Sequence, residues 1–303
     1  MMSRFEQALA ASHAATASQD HPSSCLYVVA TPIGNLADMS LRALHVLSLA
    51  DTLACEDTRH SQTLLRLYGI EKPAHAWLAL HQHNEAQASQ EVIVRLRQGQ
   101  RAVYLSDAGT PAISDPGARL VNAVQANQLR CIPIPGSSSV TCLLSVSGLA
   151  GDGQFVFRGF LSSKSAERQQ SILEIAQDAR AQVILEAPHR IVALAKDLAS
   201  LDQRLITIGR ELTKQFEQIH QLNAIDLPAW LSKSESHTRG EFALVIHPMN
   251  LLNNSLASAE RILDLLLKEL PLKTAVQLTS EITGEARNPL YELALQKRGA
   301  SEA

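Results

Sequence analysis

Three loops rich in glycine, proline and small hydroxyl residues carry the densest chemistry in this chain. Ala30-Thr31-Pro32-Ile33-Gly34-Asn35 follows the apolar run Leu26–Val29. Ser106-Asp107-Ala108-Gly109-Thr110-Pro111-Ala112-Ile113-Ser114-Asp115-Pro116-Gly117 follows Ala102–Leu105 and brings two carboxylates and several hydroxyls. Pro133-Ile134-Pro135-Gly136-Ser137-Ser138-Ser139 follows Cys131-Ile132. In open α/β sheets ligands bind just beyond the carboxyl ends of strands. One such loop is ordinary turn chemistry; three at successive strand ends predict a shared small-molecule site. Backbone N–H groups near Ser137–Ser139, where a helix is predicted to start, suit a carboxylate or a phosphate. No G-x-G-x-x-G and no Walker P-loop occurs, which removes weight from hydride transfer and nucleotide hydrolysis.

Polar clusters stand at further strand–helix junctions. Glu56-Asp57-Thr58-Arg59-His60 packs two acids, an arginine and a histidine into five residues. Two readings stay open there: Asp57 caps a helix with Arg59 solvated, or the set faces a reacting group. Glu186-Ala187-Pro188-His189-Arg190, Arg210-Glu211-Leu212-Thr213-Lys214 and Arg239-Gly240-Glu241 follow the same pattern. A surface ion pair alone has little energetic consequence. Several clusters at equivalent junctions predict a common purpose.

Elements to position these loops follow from periodicity. Predicted strands at Leu26–Ala30, Thr52–Ala54, Ala102–Leu105 and Arg130–Ile134 alternate with helices at Leu41–Leu49, Ser61–Tyr68, Glu85–Gln98 and Ala118–Asn127. Such alternation predicts a mainly parallel sheet covered by helices. A second α/β block has predicted strands at Phe155–Phe157, Gln182–Leu185, Leu205–Ile208 and Ala243–Ile246, with helices at Ala166–Gln177 and Ile191–Ala199. The expected organisation is a disordered tail over 1–23, α/β domains over 24–148 and 149–248, and a helix-turn-helix-sized module over 255–299. In that module Pro271 and Gly284 stop two helices, over Ser258–Leu270 and Thr274–Thr283, and Asn288-Pro289 starts a third.

Composition bounds the function classes. The 303 residues are 46% hydrophobic and 19% charged, with net charge −3, as expected of a soluble globular protein. An acidic balance argues against a strong sequence-independent grip on nucleic acid, which needs many Lys/Arg–phosphate contacts. It leaves open a nucleic acid held by shape or by local basic patches. Cys25, Cys55, Cys131 and Cys142 are scattered, so neither a zinc site nor a disulfide framework is expected, and a reducing cytoplasm is the expected compartment. No apolar stretch reaches the roughly 18 residues of a membrane span. The first residues lack the charged start and apolar block of a secretory signal.

The ordered combination of Tyr27–Asp38, Glu56–His60, Ser106–Pro111, His189-Arg190, Arg210–Lys214 and Gly240-Glu241 resembles the tetrapyrrole-methylase superfamily. Within it the chain is similar to the branch that methylates the ribose 2′-oxygen of a cytidine in the decoding region of 16S rRNA. The resemblance spans roughly Leu26 to Leu295. It implies two α/β domains with an S-adenosylmethionine cleft between them, usually in a homodimer; no metal-ligand spacing appears in the sequence, so no metal is expected, and no membrane is expected either. It places the cofactor near Pro32, Gly109, Thr110, Ile113, Ser138, Ser139, Glu186 and Leu212. Asp107, Asp57, Arg59 and Glu186 are the implied catalytic set; the three acids are candidate bases or orienters and are not ranked by the sequence. Arg59, His60, Arg190, Lys214, Lys273 and Arg287 are the implied contacts to 16S rRNA; naked rRNA and an assembled small ribosomal subunit both stay open as the substrate, with the acidic pI favouring the subunit. Ser137 stands where the family commonly has the second proline of Pro-Gly-Pro, and Leu185 where an aromatic residue is usual. Two rivals remain at this stage: a methyltransferase acting on a tetrapyrrole carbon, and a non-enzymatic ribosome-assembly factor.

Overall fold

The computed structural model describes residues 5–81, 83–114, 117–149, 153–249 and 251–301. The tail expected over residues 1–23 is not disordered where it is described: Glu6–Thr16 forms α1. Its alanine-rich sequence favours helix. It also gains tertiary support, because Phe5, Ala8 and Leu9 pack on the core of the first lobe and the Phe5 ring lies 5.1 Å from that of Tyr68.

The first lobe continues through β1 (Cys25–Val29), α2 (Leu41–Leu49), β2 (Thr52–Cys55), α3 (Thr58–Leu67), β3 (Trp77–Ala79), α4 (Glu85–Arg97), β4 (Ala102–Leu105), α5 (Ala118–Ala126) and β5 (Arg130–Ile134). Its sheet has the order β3-β2-β4-β1-β5, and every pair is parallel, as the alternation predicts. β1, β2 and β4 are almost wholly buried, so they read as continuous apolar runs rather than alternating ones. β3 escapes the sequence reading because three residues are too short to show a period. α6 (Ser139–Val146) then crosses to the second lobe.

That lobe contains β6 (Phe155–Phe160), α7 (Ser165–Gln177), β7 (Ala181–Glu186), α8 (Ile191–Leu198), β8 (Leu205–Arg210), β9 (Gln218–Asn223), α9 (Leu227–Ser232) and β10 (Phe242–Ile246). The order is β6-β7-β10-β8-β9. Only β6 and β7 are parallel; β10 runs antiparallel to β7 and β8, and β9 to β8. β9 is an edge strand of polar sequence, Gln-Ile-His-Gln-Leu-Asn, so it lacks the apolar signal that marks a strand.

The lobes share a core. Val140 and Leu143 of α6 pack with Val183, Leu212, Ala243 and Val245. Gly209 makes this approach feasible, because a Cβ there would sit 2.8 Å from Leu143 Cδ1. The chain ends in α10 (Leu251–Glu269), α11 (Leu272–Thr283) and α12 (Arg287–Ser301), held by Ala259, Leu263, Ala275, Val276, Leu290 and Ala294. α10 begins earlier than its apolar periodicity indicates, and α12 begins at Arg287, ahead of the Asn288-Pro289 start expected, so Pro289 falls within its first turn. Among the described residues no helix is long and apolar enough to cross a membrane.

Candidate active site

The register of the first sheet sets the site. Val29 pairs with both Leu105 and Ile134, so β1, β4 and β5 end at one level and their loops emerge together. The loops are then tied to one another. Thr31 and Gly109 exchange backbone hydrogen bonds of 3.0 and 3.1 Å. Ser106 Oγ donates to the Gly109 carbonyl at 3.1 Å, and Thr110 Oγ1 donates to the Ser137 carbonyl at 3.1 Å. The far end of the long loop is fixed by Glu85, a residue the sequence reading passes over. Its buried carboxylate accepts from the Gly117 N–H at 3.0 Å. Gly117 has φ +125°, and a Cβ would lie 2.1 Å from the Tyr104 ring, so only glycine fits beneath that latch.

The second lobe closes the opposite wall. Phe242 pairs with both Glu186 and Arg210, which sets the ends of β7 and β8 beside the start of β10. Between the lobes lies a cavity of about 300 Å³, within the range of small-molecule sites. The first lobe lines it with Ile33, Ala108, Gly109, Thr110, Ile113, Ser114, Ser138, Ser139 and Val140; the second contributes Phe160, Leu185–Pro188, Leu212 and Glu241–Ala243. Seven of the eight residues expected at a cofactor therefore meet in one cavity. The eighth, Pro32, is buried next to the lining residue Ile33.

Two polar features border this cavity. Ser138 occupies the N-cap of α6 with no side-chain cap hydrogen bond, so the helix start offers N–H donors. Glu186 is 2% exposed. Its Oε1 accepts from the Ala187 N–H at 2.9 Å and lies 3.1 Å from Arg190 Nε, whereas Oε2 is buried without a partner. The Arg190 guanidinium also donates to the Leu161 carbonyl. Arg190, expected at RNA, thus sits as a support beneath Glu186. Backbone strain gathers at the same place: Ala112, Glu211 and Thr213 are non-glycine residues at φ +64°, +52° and +66°. Each costs about 1–2 kcal/mol, and such strain clusters at ligand clamps.

Lys214, expected at RNA, is also committed within the protein. Its Nζ donates to Glu211 Oε1 at 2.8 Å and to Glu241 Oε2 at 3.0 Å, and its stem fills the space above Gly34 of the first lobe. Burial alone would lower the Lys214 pKa, but the two carboxylates outweigh it and raise the pKa. Burial alone would raise that of Glu211, but bonds from Lys214 and the Glu241 backbone outweigh it and lower the pKa. The lysine contribution is therefore complete below 10.5 and is lost as pH rises through the folded value. The glutamate contribution is complete above 4.5 and is lost as pH falls through the folded value. The melting-temperature gap between wild type and Lys214→Met is thus expected to be flat between these limits and to narrow outside them. A gap that shrinks steadily across neutral pH contradicts the latch.

Asp57 caps α3. Its Oδ1 accepts from the Arg59 and His60 N–H groups at 2.8 and 3.4 Å, and these bonds hold its carboxyl below the usual range. The structure shows the capping reading, with Arg59 and His60 exposed at the start of α3. Asp107 follows β4 directly beside the lining residue Ala108, with Oδ1 buried and unpartnered. Lys273 is exposed on α11; Arg287 is exposed at the start of α12, 3.4 Å from Glu281.

Two α/β lobes around a cofactor-sized cleft define the class. The chain belongs to the tetrapyrrole (corrin/porphyrin) methylase family, whose model matches residues 25–228. Residues 253–298 match the model described as the RsmI C-terminal HTH domain. The chain is 42% identical over 281 residues to ribosomal RNA small subunit methyltransferase I of Pseudomonas aeruginosa, covering 91% of this chain and 98% of that protein. It is 39% identical over 285 residues to the protein of the same name from Escherichia coli O157:H7, covering 93% and 98%. Among solved structures the fold is similar to a diphthine synthase (TM-score 0.57, 14% identity, covering 74% of this chain and 90% of that one). It is similar also to a cobalt precorrin-4 methyltransferase (TM-score 0.54, 15% identity, covering 73% and 94%). The family's methyl donor is S-adenosylmethionine, and these residues fit it. The α6 N–H groups suit its carboxylate, the unpartnered Glu186 Oε2 suits its hydroxyl or ammonium donors, and Ile113, Leu212 and Phe242 supply apolar walls.

Proposed function

We propose that this protein methylates the ribose 2′-oxygen of a cytidine in the decoding region of 16S rRNA, acting in the cytoplasm as a homodimer on the small ribosomal subunit. The observation that carries the reading is identity near 40% over nine-tenths of the chain to relatives named for small-subunit rRNA methylation, C-terminal helices included.

S-adenosylmethionine bound in the cleft supplies an electrophilic methyl group. The protein's own work is then to align and deprotonate the acceptor. The start of α6 and Glu186 hold the donor from opposite lobes. Asp107, one residue from the cavity lining, takes the proton of the ribose hydroxyl. Arg59 and His60, exposed beyond the α3 cap, face the flanking phosphates, and Lys273 and Arg287 extend the contact surface along the C-terminal module. Positioning supplies much of the rate; a general base adds roughly a hundred- to ten-thousand-fold.

The test is mass spectrometry of 16S rRNA from a strain lacking this gene. Loss of one ribose methyl group from a decoding-region cytidine, restored by the gene in trans, is the expected result. An unchanged ribose methylation pattern overturns it.

A further inference from the structure

A second cavity, of about 590 Å³, lies behind one wall of the donor cleft. The wall is thin. Leu212 and Glu241 line the donor cavity, while their chain neighbours Glu211 and Gly240 line the second one. The Glu211 N–H donates to the Glu241 carbonyl at 3.0 Å, and Glu211 Oε1 accepts from the Glu241 N–H at 3.0 Å. The partition is therefore one pair of hydrogen-bonded chain segments.

Phe216 lines this second cavity and is 67% exposed, more than any other large apolar residue among the described residues. Its backbone is nonetheless held. The Phe216 carbonyl accepts from Arg210 Nη2 at 3.1 Å, the Glu217 N–H donates to the Lys214 carbonyl at 3.1 Å, and Glu217 Oε2 accepts from the Thr213 N–H at 2.6 Å. A bare aromatic ring thus stands on a braced loop. Two arginines share the cavity with it. Arg210 is 5% exposed, and its guanidinium donates to neutral oxygens: Gln218 Oε1 at 2.9 Å, and the Arg239 and Phe216 carbonyls at 3.1 Å. Glu211, next to it in the chain, directs Oε1 to Lys214 and to the Glu241 N–H instead. The Arg239 side chain is 74% exposed and pairs at 2.9 Å with an exposed Glu235, an ion pair of little energetic consequence. Arg239 is therefore available to an outside anion, while the two acids of the cavity, Glu211 and Glu217, are bonded within the loop.

This chemistry selects its occupant. Unpaired RNA bases are recognised by stacking on aromatic side chains and on arginine planes, with hydrogen bonds to their edges. Phe216 offers the ring, Arg239 a partner for phosphate, and Gln215 an amide that both donates and accepts. Hydrogen-bonded strands lie about 4.8 Å apart, so a short single strand can cross the partition with its acceptor ribose on the donor side. We infer that Phe216 is a stacking platform for an unpaired base next to the acceptor nucleotide, with Arg239 at the accompanying phosphate. The inference rests on the proposed rRNA methylation and adds two substrate-binding residues to it.

The experiment uses the full-length protein, tritiated S-adenosylmethionine, and small ribosomal subunits from a strain lacking the gene. Phe216→Ala is expected to raise KM for the subunits about 5- to 100-fold, the loss of one base stack, with a much smaller change in kcat. Truncating an exposed ring leaves the Phe216 carbonyl on Arg210, so donor affinity by calorimetry stays at the wild-type value, which also shows that the cleft is folded. Phe216→Trp keeps KM near wild type, because indole also stacks; Phe216→Leu, apolar but without a π face, does not. Arg239→Gln weakens subunit binding and lowers its log–log salt slope by about one. The platform is overturned if Phe216→Ala keeps KM within about twofold, if donor affinity falls in parallel, or if Phe216→Leu restores KM in full, the mark of an apolar protein contact. Mapping the label separates the two proposals. Label on a base atom, with Phe216→Ala still impaired, removes the ribose assignment and keeps the platform. Label on the ribose, with every variant at wild-type KM, removes the platform alone. Failure of the wild type to label 16S rRNA removes both.

Discussion

Asp107→Asn is expected to slow methyl transfer by about 10²- to 10⁴-fold, the contribution of a positioned general base. S-adenosylmethionine affinity stays near that of the wild type, because Asp107 lies outside the cavity lining while its neighbour Ala108 lies within it. The substitution keeps size and shape, and an amide cannot accept the hydroxyl proton. Single-turnover transfer to small subunits, with the donor saturating, isolates the chemical step. An unchanged rate with donor binding intact removes Asp107 as the base. Asp57 is then the less suited alternative: its Oδ1 caps α3, and the bonds that do so hold its carboxyl below the usual range, weakening it as a proton acceptor.

Glu186→Ala is expected to weaken donor binding by about 10- to 100-fold, since hydrogen bonds to a buried charged group contribute roughly 1.5–3 kcal/mol. It also removes the counter-charge from Arg190, whose side chain is 22% exposed, so a lower melting temperature accompanies the affinity loss. Glu186→Gln separates the effects. It still accepts from the Ala187 N–H and restores much of the stability, while the uncharged amide leaves donor affinity impaired. Calorimetry and thermal melts of the three proteins decide the matter. Wild-type affinity in both variants contradicts a donor-holding role for Glu186.

The legibility of this chain divides along physical lines. Strands of the first sheet are buried on both faces and appear as apolar runs ended by glycine-proline loops, so Leu26, Ala102 and Arg130 open or enter strands close to where they were expected. β3 and β9 were not legible, one too short and one too polar. α1 was not legible either, because its sequence is only a helix former; its packing on the Tyr68 side of the first lobe makes it an ordered part of the fold. Glu85 looks like an ordinary charge at a helix start, and only tertiary structure places Gly117 within its reach.

The sequence by itself determined the loops, their order and the family, since a glycine-bearing turn after a buried strand is a local property. Local chemistry does not report which charges are committed within the fold. The sequence offers Arg190 and Lys214 as contacts to rRNA. The folded protein commits the first to Glu186, close to it in the chain, and the second to the nearby Glu211 and the distant Glu241. Partner choice across a sheet edge depends on strand register, and register is settled by burial of whole faces rather than by any one motif.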